Sequence, residues 1–203
     1  MTAAFWDKVR REVAACGQAG DWRGAEARLM AVAARPDAPP AVFHNLGRVL
    51  MMRRATAQAV AWLRRAVAAD PRHPPSWFEL GRCLFELRDF AGARDALLAA
   101  GRLMPRDPDC PRLAGRAAIA MGDWRGAADA FAALERLVPG DEEALLKGYT
   151  ALSELRAPQA VAMRDRLLAN DKLRGGALIR TVRASAGHLP LRPMGRAGRA
   201  GAK

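Results

Sequence analysis

Arg48, Arg82 and Arg116 follow one another at steps of 34 residues, and each stands directly after a glycine, Gly47, Gly81 and Gly115. A guanidinium carries a rigid fork of donors that fits a carboxylate, so three of them at a fixed interval could engage a row of acidic groups. His44 and Asn45 stand about one helical turn before Arg48, and Arg112 one turn before Arg116, which places them on the same helix faces as the ladder. Met51 and Phe85 lie three residues beyond Arg48 and Arg82, where they could offer an apolar pocket to a partner's side chain. At helical spacing the same two residues also suit a core. The chemistry these eight residues suggest is the binding of an acidic peptide segment.

Other reactive side chains form no constellation. Cys16, Cys83 and Cys110 are widely spaced, with no C-x-x-C pair and no histidine at metal-ligand spacing, so they read as reduced, small apolar residues. His44, His73 and His188 are likewise scattered. No phosphate-binding loop, dinucleotide fingerprint, nucleophile elbow or metal motif is present. Gly195-Arg-Ala-Gly-Arg-Ala-Gly lacks the strand and helix that a phosphate loop needs on either side. A non-catalytic protein without cofactor or metal is expected.

The elements that must position the arginines are suggested by composition and period. The 203 residues are 51% hydrophobic and 27% charged with a net charge of +12, and mean hydropathy is −0.13. No run approaches the ~18 apolar residues of a membrane span. Asp7, Lys8, Arg10, Arg11 and Glu12 stand where a secretory signal would have its apolar centre, so a cytoplasmic location is expected. Residues 172–203 hold eight basic residues and no acidic ones, which leaves residues 1–171 at only +4. Residues 175–183 could form a short amphipathic helix, whereas residues 190–203 are too poor in apolar surface to fold, and the eight cations could attract nucleic acid or an anionic surface. The tail contains no aromatic residue to stack on bases. The chain has 29 arginines and four lysines, an Ala- and Arg-rich balance typical of a GC-rich bacterial genome that dilutes the meaning of any single arginine.

The 34-residue step recurs well beyond the arginines. Pro71, Pro105 and Pro139 share it, as do Ala25, Ala59, Ala93 and Ala127, and Leu29, Leu63, Leu97 and Phe131. Phe43 pairs with Trp77, Leu46 with Leu80, Leu50 with Leu84, and Ala66 with Ala100. A glycine in a first helix and an alanine in a second allow two backbones to approach closely, and a proline just past the second helix ends it. Apolar residues at three- and four-residue steps within each half, such as Leu80, Leu84 and Leu87, complete the pattern of paired amphipathic helices.

These columns resemble the tetratricopeptide repeat, whose pattern is W-x2-L-G-x2-Y followed by Ala, an aromatic or Leu, Ala and Pro. Trp77, Leu80, Gly81, Leu84, Ala93, Leu97, Ala100 and Pro105 form the best copy. The resemblance implies an all-α helical solenoid of antiparallel helix pairs with a short basic C-terminal tail. Its expected organisation is a degenerate repeat at 1–39, repeats at 40–73, 74–107 and 108–141, capping helices at 142–171 and a tail at 172–203. The third full copy is weak at its start, where Pro111 and Ala114 replace large residues. In the family the groove of first helices usually holds a peptide or a partner's helix, so the resemblance implies a protein-interaction adaptor. Some members clamp a C-terminal carboxylate with Lys and Asn. Asn45 could take one such place, but Ala41, Pro75 and Asp109 stand on the neighbouring turns and the lysines are missing. A looser acidic-peptide site is therefore the expectation, and the alternative is nucleic-acid or anionic-surface binding through the tail.

Overall fold

The computed structural model describes residues 3–169. Among these the chain forms ten α-helices and no strand: α1 (Ala3–Gln18), α2 (Trp22–Ala33), α3 (Pro40–Met52), α4 (Thr56–Ala69), α5 (Pro74–Glu86), α6 (Phe90–Leu103), α7 (Asp109–Met121), α8 (Trp124–Leu137), α9 (Glu142–Glu154) and α10 (Gln159–Ala169). Each helix packs on the next in sequence, and the first helices also touch across units, α3 with α5 and α5 with α7. The result is the helical-repeat solenoid. The tail expected at 172–203 lies outside the described residues.

The turn inside each helix pair is set by a repeated local device. Gly20, Arg54, Arg88, Gly122 and Arg156 stand at 34-residue steps, and all have positive φ, from 51° to 74°. The residue after each donates its N–H back five residues: Asp21 to Cys16, Ala55 to Leu50, Asp89 to Leu84, Asp123 to Ala118 and Ala157 to Leu152, every bond at 2.9 Å. This left-handed closure of a helix end normally favours glycine. Asp21, Asp89 and Asp123 then cap the second helices, accepting from the N–H groups of Gly24, Gly92 and Gly126.

The same column holds Ala55 at the start of α4, which has no side-chain cap. Ala55→Asp is expected to add about 1 kcal/mol through the missing cap. Arg88→Gly is expected to gain a similar amount by relieving the left-handed strain. At this chain size each should raise the thermal midpoint by roughly 2–4 °C in a calorimetric scan.

The close-approach columns form the core. Ala25, Ala59, Ala93 and Ala127 are fully buried, as are Leu63, Leu97 and Phe131. A Cβ added at Gly47 or Gly81 would lie 2.6 Å from Cγ of Leu63 or Leu97, and one at Gly115 would lie 2.8 Å from the Phe131 ring. The last pair departs from this pattern. Tyr149 occupies the glycine column, and Val161, in the alanine column, is 53% exposed. Helix α10 instead buries Leu167 and brings Met163 against Gly148, where an added Cβ would meet the Met163 methyl at 3.3 Å. The close approach has thus shifted by one residue along α9, because Tyr149 cannot sit under a neighbouring helix as glycine does.

Candidate functional site

The three arginines of the ladder lie on adjacent first helices, and their surroundings differ. Arg48 on α3 is exposed and has no carboxylate partner among the described residues. Arg82 on α5 is exposed and its Nη1 donates to Glu79 Oε2 at 3.0 Å, one turn earlier on the same helix. Arg116 on α7 is held from the next first helix: its Nε and Nη2 donate to Glu143 Oε1 and Oε2 at 2.5 and 2.6 Å. Arg112 joins the same cluster, donating to Asp141 Oδ1 and Oδ2 at 3.2 and 2.9 Å and to Glu143 Oε2 at 3.2 Å.

These bonds tie α7 to the N-terminus of α9, where Asp141 also caps the helix by accepting from the Ala144 N–H at 2.8 Å. The Arg116 hydrogen bonds hold the Glu143 carboxyl below its ordinary range. Burial opposes ionisation of Asp141, yet the Arg112 bonds and the α9 N–H groups keep its carboxyl below the ordinary range as well. The ladder is therefore not uniform. Its α3 rung has no carboxylate partner among the described residues, its α5 rung pairs with Glu79 on its own helix, and its α7 rung is held across the stack by Glu143.

His44 also has a different place from the one its spacing suggests. It is 8% exposed, enclosed between α3 and the entry to α5, with Nδ1 3.2 Å from Ser76 Oγ. The same hydroxyl lies 2.7 Å from His73 Nδ1, and the two imidazoles meet edge to face at 4.9 Å. Burial, with the charges of His73 and Arg48 adding to it, pushes the His44 pKa down to about 4. His44 is thus a neutral interhelix packing residue, because Ser76 on the facing helix satisfies its ring nitrogen within the stack.

Asn45 is half-buried on α3. Met51 and Phe85 are partly buried against the main core, Phe85 also meeting Phe90 edge-on at 5.3 Å. Each keeps part of its surface beside the exposed rungs. The partners Glu143, Asp141 and Ser76 were not among the residues singled out by spacing. One signal for Glu143 was available, since it stands 34 residues after Asp109 and so falls in the first turn of the following first helix.

The cysteine thiols Cys83 and Cys110 are buried, and that burial pushes both pKa values up to about 12, which keeps them protonated and unreactive. Among the described residues no group of three or more His, Cys, Asp or Glu is placed to hold a metal ion. No helix among them is long and apolar enough to cross a membrane.

Comparison with known proteins agrees with this architecture. Residues 17–74 match the family model described as tetratricopeptide repeat. Residues 52–147 match the model described as anaphase-promoting complex, cyclosome, subunit 3. No curated protein matches the chain significantly. Among solved structures, a crystal structure of MamA is similar with a TM-score of 0.69 and 20% identity, covering 92% of this chain and 97% of that one. A second MamA structure, from AMB-1, has a TM-score of 0.71 at 17% identity, covering 89% and 98%. YrrB, described as a TPR protein with an unusual peptide-binding site, has a TM-score of 0.70 at 16% identity, covering 86% and 88%. At these identities the structures speak for the fold. The 34-residue columns, the stacked helix pairs and the two family matches, which together span residues 17–147, support a protein of the tetratricopeptide-repeat family.

Proposed function

We propose that the chain is a non-catalytic adaptor whose face of first helices holds an acidic segment of a partner protein, with Arg48 and Arg82 as the carboxylate donors. The observation that supports this most directly is that these two arginines recur on touching helices and face solvent, Arg48 with no carboxylate partner among the described residues. Asn45 adds a polar group beside them, and the exposed edges of Met51 and Phe85 add apolar contact. Arg82 joins by giving up its single bond to Glu79 one turn away, and Arg116 only by exchanging the two bonds that Glu143 accepts, so the α3–α5 end of the face is the stronger anion site. That YrrB, a structural neighbour, is described as peptide-binding accords with an interaction role for this fold.

The test is capture of partners from a nuclease-treated bacterial lysate by three proteins: the full chain, the Arg48→Ala/Arg82→Ala variant and a chain ending at residue 171. A partner kept by the full and shortened chains, and bound roughly tenfold more weakly by the double variant, or about 1.4 kcal/mol, is the expected result. Its affinity should also fall less steeply with salt in the variant. Recovery that depends instead on residues 172–203, or on nucleic acid, would replace this reading with binding through the basic tail.

A further inference from the structure

The column of large residues near the start of each first helix runs Phe43, Trp77, Pro111 and Leu145. Phe43 is covered by its own unit: Trp62 stacks on it at 6.1 Å and the Arg65 guanidinium lies 4.5 Å over its ring. Trp77 lies against the α4–α5 loop, where its indole Nε1 donates to the Pro71 carbonyl at 2.9 Å. One unit further on, the slot holds only the small ring of Pro111. The residue in the column of Arg65 is there Ala133, so the cover is missing too.

The space that an aromatic ring would fill is open. A hollow of about 230 Å³ is lined by Leu98, Gly101, Pro105, Pro111, Ala133 and Leu137, among others. Pro105 is the counterpart of Pro71, and no donor of the described residues reaches its carbonyl. The volume is below the roughly 300–1,000 Å³ of small-molecule clefts and suits a single side chain. Leu98, at 44% exposure, forms an apolar lip.

The surrounding charge is basic. Arg102 lines the hollow, Arg106 stands between the lining residues Pro105 and Asp107, and Arg136 adjoins Leu137. All three are exposed and have no carboxylate partner among the described residues. The lining acid, Asp107, is engaged locally, its Oδ1 accepting from the Asp109 N–H at 2.8 Å.

We propose that this vacated slot is a second docking site, separate from the face of first helices, that takes a tryptophan side chain from an acidic segment of a partner protein. The indole takes the place that Trp77 fills in the preceding unit, its N–H donates to the Pro105 carbonyl, and flanking carboxylates meet Arg102, Arg106 and Arg136. Buried aromatic anchors ringed by complementary charge are the usual centres of such interfaces.

The test uses a fluorescein-labelled peptide with one tryptophan between two pairs of acidic residues, followed by anisotropy on the full chain. Saturable binding is expected, weakened at least tenfold when alanine replaces the peptide's tryptophan. Pro111→Trp should fill the slot from inside and weaken binding at least tenfold without lowering the melting temperature. Ala133→Met provides a second way to block the slot should the first variant fail to fold. Arg102→Glu/Arg106→Glu should also weaken binding, whereas Arg48→Ala/Arg82→Ala should leave it unchanged, which separates this site from the proposed groove. Absence of saturable binding, equal affinity for the alanine peptide, or binding indifferent to a filled slot would overturn the proposal.

Discussion

Phe131→Ala is expected to destabilise the protein by about 3–5 kcal/mol, a large share of the roughly 5–15 kcal/mol that a folded domain has in total. The ring is fully buried and is shared by three helices. It lies under Gly115 of α7, and its Cβ would be 3.5 Å from a Cβ added at Gly148 of α9. Ala118, Ala127, Leu134, Ala144 and Ala151 complete the cluster around it, and none of them is large enough to fill the void. Phe131→Leu restores the residue type found in the same column at Leu63 and Leu97 and should cost only about 1–1.5 kcal/mol.

Urea unfolding measures both variants, with the midpoint shifting while the slope stays the same. Gly115→Ala supplies the internal control. Its added methyl clashes with the ring, so it should be costly in the natural sequence and milder in Phe131→Ala. Strictly additive effects would show that Gly115 does not accommodate Phe131.

Acidification gives the second large effect. The His44 pKa is lowered to about 4 by burial and by the neighbouring His73 and Arg48, while the unfolded chain should titrate near 6.5. The unfolded state therefore takes up the proton first as pH falls. Stability is complete above about pH 6.5 and declines between 6.5 and 4, by up to about 3 kcal/mol.

Denaturant midpoints measured across that window should fall for the natural protein and change much less for His44→Leu. An identical pH profile for the two would remove His44 as the cause. Loss of the Arg112 and Arg116 clamp has a different window, because the lowered carboxyls of Asp141 and Glu143 give up their contribution only below the ordinary carboxylate range.

The distribution of these effects separates what is local from what is not. Gly47, Gly81 and Gly115 with Ala59, Ala93 and Ala127 require close helix pairs, and Pro71, Pro105 and Pro139 end them, because backbone approach and helix termination depend on residue type at fixed spacing. Such columns made the helical-repeat fold legible without coordinates. A periodic pattern reports on contacts that recur, and each of these contacts recurs in the three units α3–α4, α5–α6 and α7–α8.

Contacts that occur once leave no column. Arg48, Arg82 and Arg116 look alike in sequence, yet the stacking of α9 on the preceding pair brings Glu143 to Arg116 alone, and Arg48 has no carboxylate partner among the described residues. His44 reads as a surface donor until α5 places Ser76 against it. The shift of α10 follows from Tyr149 standing where the three preceding units have glycine, and its direction is set by how Met163 and Leu167 find buried space. The hollow at Pro111 likewise exists because Ala133, from a different helix, fails to cover it. The sequence by itself determined the repeating unit and its core, since those follow from local periodicity. Tertiary structure decided which charges stay open, which histidine is enclosed and where a ring is missing, since each depends on side chains brought together once, from opposite ends of a unit or from the next one.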